Sequence, residues 1–175
     1  MKRIFIALLL FLFLILEGVA TRFLPTELFN GDLFVIPHWT LSGIILITLL
    51  YFRVNSFYAV LLALLFGLLK DMVYTEILGV YMFSYAATIY IVFQLKKLLH
   101  VNFFVLLLFG IIGIGFSDLF VYFIYYVIGL VDTGWLDYLN YRLLPTIGLN
   151  LVYLIILYFL FSKVLIRWGR EADWE

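Results

Sequence analysis

Apolar residues run along this chain in six long, nearly unbroken stretches, at about 3–23, 33–52, 56–75, 79–98, 102–130 and 142–166. About 20 consecutive apolar residues cross about 30 Å of hydrocarbon, so each stretch predicts a membrane span. Hydrocarbon gives the backbone no hydrogen-bond partner, and the runs lack the alternation of barrel strands. The pattern therefore predicts an all-α, polytopic integral membrane protein, with six transmembrane helices in one bundle and 1–175 as a single transmembrane domain. The stretch 102–130 exceeds the bilayer and is expected to tilt or project. Gly110, Gly113 and Gly115 in its first half are expected to admit a close neighbour or a bend.

Composition narrows this further. The chain is 67% hydrophobic and 13% charged, with mean hydropathy +1.19. Once the spans are set aside, only short loops and tails remain, too little for a soluble catalytic or ligand-binding domain. The lack of cysteine excludes structural disulfides, thiolate metal sites and a cysteine nucleophile. Met1-Lys2-Arg3 followed by apolar Ile4 to Leu16 also has the layout of a signal peptide, with Gly18-Val19-Ala20 as small residues at a cleavage site. Extension of the apolar run through Phe23 to membrane length favours a retained first span.

Orientation follows from the basic residues. With both termini cytoplasmic, the inner side collects Lys2, Arg3, Arg53, Lys96, Lys97, Lys163, Arg167 and Arg170. The outer side holds Arg22 and Arg142, while Lys70 lies within the third span. The outer loops are acidic, with Glu27, Asp32, Glu76, Asp132 and Asp137. Two of them are long enough to have shape, and Pro25, Asn30-Gly31-Asp32 and Asp132-Thr133-Gly134 predict turns there. Trp168 fits an interfacial anchor at the inner end of the last span.

Polar residues inside the spans are the candidates for function. Glu17, Asp71 and Asp118 interrupt spans one, three and five; His38 and Asn150 fall at similar depths in spans two and six. Together they predict a polar layer in the outer half of the bundle. The span around Asp118 inserts regardless: fourteen Leu, Ile, Val or Phe residues over 103–122 supply about −6 kcal/mol against about +3 for the aspartate. An ionised carboxylate still avoids lipid, leaving Glu17 and Asp118 an inter-helix hydrogen bond, a functional pocket or a partner contact. Lys70 and Asp71 are about 100° apart on a helix and cannot pair side by side. Lys70 is expected to snorkel to the outer interface, and Asp71 to turn inward or help finish its helix. His38, after Pro37, is expected at the interface, where it would titrate near neutral pH.

No catalytic set emerges. HExxH, GxSxG and phosphate-binding loops are missing from the sequence. His38 and His100 fall on opposite sides of the membrane, which argues against paired histidine metal ligation. The dispersed basic residues read as membrane anchors rather than a nucleic-acid surface. The chain is expected to be non-enzymatic, with no cofactor and no metal.

The segment from Phe66 to Phe83, FGLLKDMVYTEILGVYMF, resembles the signature of the rod shape-determining MreD family, in which G-L-L-x-D ends one helix and L-G-x-Y begins the next. Gly67, Asp71, Leu78, Gly79 and Tyr81 match it. Gly67 permits close packing one turn before Asp71, and Gly79 suits a tight turn into span four. Arg142, Pro145 and Asn150 resemble the family's last-helix region, and size and layout fit over essentially the whole chain. Glu17 and Asp118 map onto no motif of that pattern.

The resemblance implies a multi-pass protein of the bacterial cytoplasmic (inner) membrane that helps maintain rod shape by organising lateral peptidoglycan synthesis. Its implied partners are the bitopic protein MreC, the RodA-type glycosyltransferase with its transpeptidase, MreB filaments, and membrane lipids. It also implies a likeness to the substrate-binding subunits of energy-coupling-factor transporters, which hold a ligand in their outer half. The expected function is a non-enzymatic membrane scaffold, with Glu17, His38, Gly67, Asp71, Gly79, Asp118 and Asn150 as the candidate partner-binding or polar site. The alternatives are a solute-binding subunit of a vitamin-type transporter, with Glu17, His38, Asp118 and Asn150 lining a pocket, or a proton-conducting subunit.

Overall fold

The computed structural model describes residues 2–23, 34–52 and 57–171, with the backbone alone for 21–23. The expected turns at Pro25 and at Asn30-Gly31-Asp32, and the side chains of Arg22, Glu27 and Arg53, lie outside these residues. The described residues are helical without a strand: α1 (Lys2–Phe23), α2 (Trp39–Leu50), α3 (Tyr58–Tyr74), α4 (Val80–Lys96), α5 (Phe103–Val127) and α6 (Trp135–Glu171). Among them α1, α5 and α6 are long and apolar enough to cross a membrane.

Unlike a water-soluble bundle, the described helices are apolar on their outer faces as well as in the core. On α1 the residues Ile4, Leu8, Phe11, Leu12 and Ile15 are exposed, while Ile6, Leu10, Phe13, Leu14 and Glu17 are buried. Helical periodicity thus separates an apolar outer face from an inner face that carries the one acid of the helix. Helix α2 is buried from Thr40 through Leu49 and packs against the other five helices. A helix hydrophobic on all sides belongs at the centre of a bundle. Lys2 Nζ meets Glu171 at 3.0 Å, so the first and last helices have their chain ends at one end of the molecule.

Two of the expected boundaries move. Helix α2 begins only at Trp39, and Phe34–His38 before it has no regular secondary structure. Pro37 has no N–H to give and biases Ile36 toward extended backbone. The sixth helix begins at Trp135 rather than 142, contracting the expected 131–141 loop. Its Tyr138–Leu143 stretch is wound as a π-helix.

Both ends of α2 are held by side chains from other helices. At its start the Glu17 carboxylate of α1 accepts from the Thr40 backbone N–H at 3.0 Å and the Thr40 hydroxyl at 2.8 Å. At its finish Lys96 of α4 donates to the carbonyls of Thr48 (2.8 Å) and Phe52 (2.5 Å). An anion at the N-terminus and a cation at the C-terminus complement the helix dipole and occupy orphan backbone groups. Below Glu17 the core is aliphatic and aromatic, with Ile44, Ile45, Leu106, Phe109, Leu154 and Leu157 at its centre. The expected close approach to α5 is present: Gly110 lies under Leu154, and Gly113 under Ile45.

Candidate intramembrane polar site

The α3–α4 corner is the simplest part. Asp71 lies in the last turn of α3 with its side chain fully buried. It accepts from three backbone N–H groups at the start of α4: Gly79 (2.9 Å), Tyr81 (2.9 Å) and Met82 (3.0 Å). A carboxylate from one helix therefore caps the next. Gly79 makes the turn possible with φ +100°, a region where a side chain is strained. At Gly67 a Cβ would lie 2.6 Å from the Tyr81 carbonyl oxygen and 2.7 Å from Met82 Cα, so only hydrogen fits.

A second group forms where the non-helical segment 34–38 passes α6. Phe34 N–H donates to the Tyr141 carbonyl (2.8 Å), and Ile36 N–H to the Thr146 hydroxyl (3.1 Å). Asn150 accepts from His38 N–H (2.6 Å) and donates to the carbonyls of Ile36 (2.9 Å) and Thr146 (2.7 Å). Non-helical backbone inside a membrane bundle needs such substitutes for the missing helical bonds.

Lys70 is only 4% exposed, contrary to the snorkelling expected of it. It pairs with Glu17 and donates to the Tyr85 hydroxyl at 3.0 Å, beneath the Tyr81 ring face at 4.3 Å. The Pro37 carbonyl is 3.5 Å away. Acceptors on α1, α4 and the non-helical segment before α2 replace the water that an interfacial lysine would seek. His38 is likewise fully buried rather than interfacial. Its Nδ1 lies 3.4 Å from the Tyr85 hydroxyl, and its Nε2 is 3.5 Å from Asp118 Oδ1.

The Lys70 ammonium can only donate, so the Tyr85 oxygen accepts from it. His38 Nε2 faces the Asp118 carboxylate across a gap too misaligned to count as a full hydrogen bond. Asp118 is otherwise well held. Tyr138 donates its hydroxyl at 2.8 Å, and Arg142 donates Nη2 at 3.2 Å and Nε at 3.4 Å. Both residues come from the π-wound start of α6, one turn apart.

Glu17, His38, Asp118 and Asn150 thus join one connected network, while Gly67, Asp71 and Gly79 form the separate α3–α4 corner. Sequence reasoning did not single out Thr40, Tyr85, Tyr138 and Thr146, nor the role of Lys70. Arg142 had a signal: a basic residue near a span end, with a lone carboxylate in the preceding span. Nothing in the spacing pointed to Tyr85. The network sets two acids, Glu17 and Asp118, against two bases, Lys70 and Arg142, with His38 between them, an arrangement that locks helices together. Among the described residues no group of three His, Asp or Glu side chains is placed to hold a metal ion.

Two cavities adjoin this network. One of about 290 Å³ lies beside Glu17 and Lys70, with Tyr74, Thr75 and Tyr81 in its wall. The other, of about 780 Å³, lies on the Arg142 side.

Comparison with known proteins identifies the family. The family model described as rod shape-determining protein MreD matches residues 1–167. A protein of Bacillus subtilis (strain 168) named rod shape-determining protein MreD is 29% identical over 157 residues, covering 90% of each chain. No solved structure matches.

Proposed function

The chain belongs to the rod shape-determining MreD family, which gives it a role in determining rod shape, and on that premise we propose that it is a non-enzymatic membrane scaffold of the cell-elongation machinery. The scaffold forms one transmembrane domain of six spans in the bacterial cytoplasmic membrane, with both termini cytoplasmic and the polar network in the outer half. The proximity of Lys2 and Glu171 supports an even number of crossings. Its partners are an MreC-like bitopic protein, a RodA-type glycosyltransferase with its transpeptidase, and MreB filaments beneath the membrane.

The observation that carries this reading is how the buried charges are used. Glu17, Lys70, Asp71, Asp118 and Arg142 are all engaged in tying one helix to another. A carrier or proton conductor needs polar groups free to exchange partners; a scaffold needs them occupied. The transporter-like alternative requires Glu17, His38, Asp118 and Asn150 to line one pocket. Here their polar atoms bond other side chains and the backbone, and of the four Glu17 alone lines either of the two cavities described above.

The test is a mild-detergent pull-down of the tagged protein from its own host, read by mass spectrometry. Recovery of an MreC-like protein with cell-wall synthases is expected. Recovery of ATPase subunits with a coupling membrane protein would overturn the scaffold reading in favour of solute uptake.

A further inference from the structure

The larger cavity combines groups that the network uses only in part. Phe34, Val35, Ile36 and Val131 make one wall apolar, and Tyr122, Tyr138 and Tyr141 make another aromatic. Opposite charges, Arg142 and Asp137, line the same space. Arg142 commits Nε and Nη2 to Asp118. Its Nη1 has no protein acceptor among the described residues, and the side chain keeps 18% of its surface. The Asp137 carboxylate has no hydrogen bond or ion pair among them.

Each feature selects a chemistry. A guanidinium with free N–H groups suits a phosphate. A carboxylate beside tyrosine faces suits an ammonium, since the ring quadrupole attracts cations. Tyr122 and Tyr138 stack with centroids 3.8 Å apart, and Trp135 lies 5.8 Å from Tyr138. The π-winding of 138–143 brings Tyr138, Tyr141 and Arg142 into this wall, and π-turns are often found at functional sites. Exposed Trp135, Tyr126 and Tyr141 at the same end resemble the aromatic belt at headgroup height. A volume of about 780 Å³ is that of a small-molecule site.

We propose that this cavity binds the headgroup of a zwitterionic aminophospholipid. The phosphate sits on Arg142, the ammonium between Asp137 and the exposed Tyr141 ring, and the first part of an acyl chain along Phe34, Val35 and Ile36. The inference does not rest on the scaffold reading, because a carrier with the same cavity would bind the same headgroup.

The experiment uses the purified, delipidated full-length protein in detergent, with thermal unfolding followed by tryptophan fluorescence. The probes are dioleoyl phosphatidylethanolamine, dioleoyl phosphatidylglycerol and soluble phosphoethanolamine. Phosphatidylethanolamine at tenfold its dissociation constant is expected to raise the midpoint by about 3–6 °C, well above phosphatidylglycerol. Asp137→Asn is expected to remove that margin, while Asp132→Asn, in the neighbouring loop, keeps it. Asp137 makes no bond on which the fold depends, so its substitution reports on the ligand; Arg142→Gln would also strip Asp118 of its partner. Equal shifts from both lipids, no shift from either, or a margin that survives Asp137→Asn would overturn the proposal. A shift from soluble phosphoethanolamine as large as the lipid's would overturn the lipid assignment.

Discussion

Asp71 and Asp118 are both fully buried aspartates, yet they hold different things. Asp71 bonds backbone N–H groups eight to eleven residues further along the chain and closes a single corner. Asp118 bonds the side chains of Tyr138 and Arg142 and faces His38, joining α5 to the start of α6 and the segment before α2. Backbone donors cannot leave, so the Asp71 contact is a fixed joint. Side-chain donors can, so the Asp118 contact depends on every member being present. A buried carboxylate in a membrane helix can therefore be either a local cap or a keystone, and its partners decide which.

Asp118→Leu should have the largest effect, about 3–5 kcal/mol of lost stability, because it leaves the largely enclosed Arg142 guanidinium without its counter-charge and the buried Tyr138 hydroxyl without its acceptor. Detergent melting curves measure this, and a loss below about 1 kcal/mol would remove Asp118 from its keystone role. The double variant Asp118→Leu/Arg142→Leu should recover part of the loss, as coupled sites do. Gly67→Ala comes next at about 1–3 kcal/mol, since the new methyl meets backbone of α4 rather than a movable side chain.

Asp71→Asn should cost about 1–2 kcal/mol. Its signature is locality: hydrogen exchange should quicken at Gly79, Tyr81 and Met82 and stay unchanged at 34–38. Faster exchange across both regions would erase the distinction between the two aspartates. Asp71→Leu should still insert but assemble poorly, and cells relying on it should become rounded; normal shape at normal expression would count against a role for Asp71. Tyr85→Phe should have the smallest effect, about 0.6–1.7 kcal/mol as for other hydrogen bonds between membrane helices. It removes the hydroxyl between Lys70 and His38, and a shift of the His38 ring-nitrogen signals in NMR would accompany it.

The α3–α4 corner was legible because its parts are neighbours in sequence: Gly67, Asp71 and Gly79 fall within one short segment whose spacing carries the geometry. The Asp118 network was legible only as isolated polar residues at similar depths. Lys70 illustrates the limit. Alone on a helix near a span end, a lysine is expected to reach for water. In the structure, Glu17 from a helix more than fifty residues earlier meets it first. His38 follows the same logic, since Tyr85 and Asp118 surround a residue that Pro37 had suggested lay at the interface.

Hydropathy and periodicity by themselves determined that the chain is helical and suited to membrane, because solvent transfer energies add along any long apolar run. They also determined which residues are costly to bury. Only the tertiary structure decided what satisfies each of them: a backbone N-terminus for Asp71, a lysine for Glu17, and an arginine, a tyrosine and a histidine for Asp118. Cost is a property of one side chain and its solvent, whereas compensation requires a partner, and these partners come from helices distant in sequence that only packing brings together.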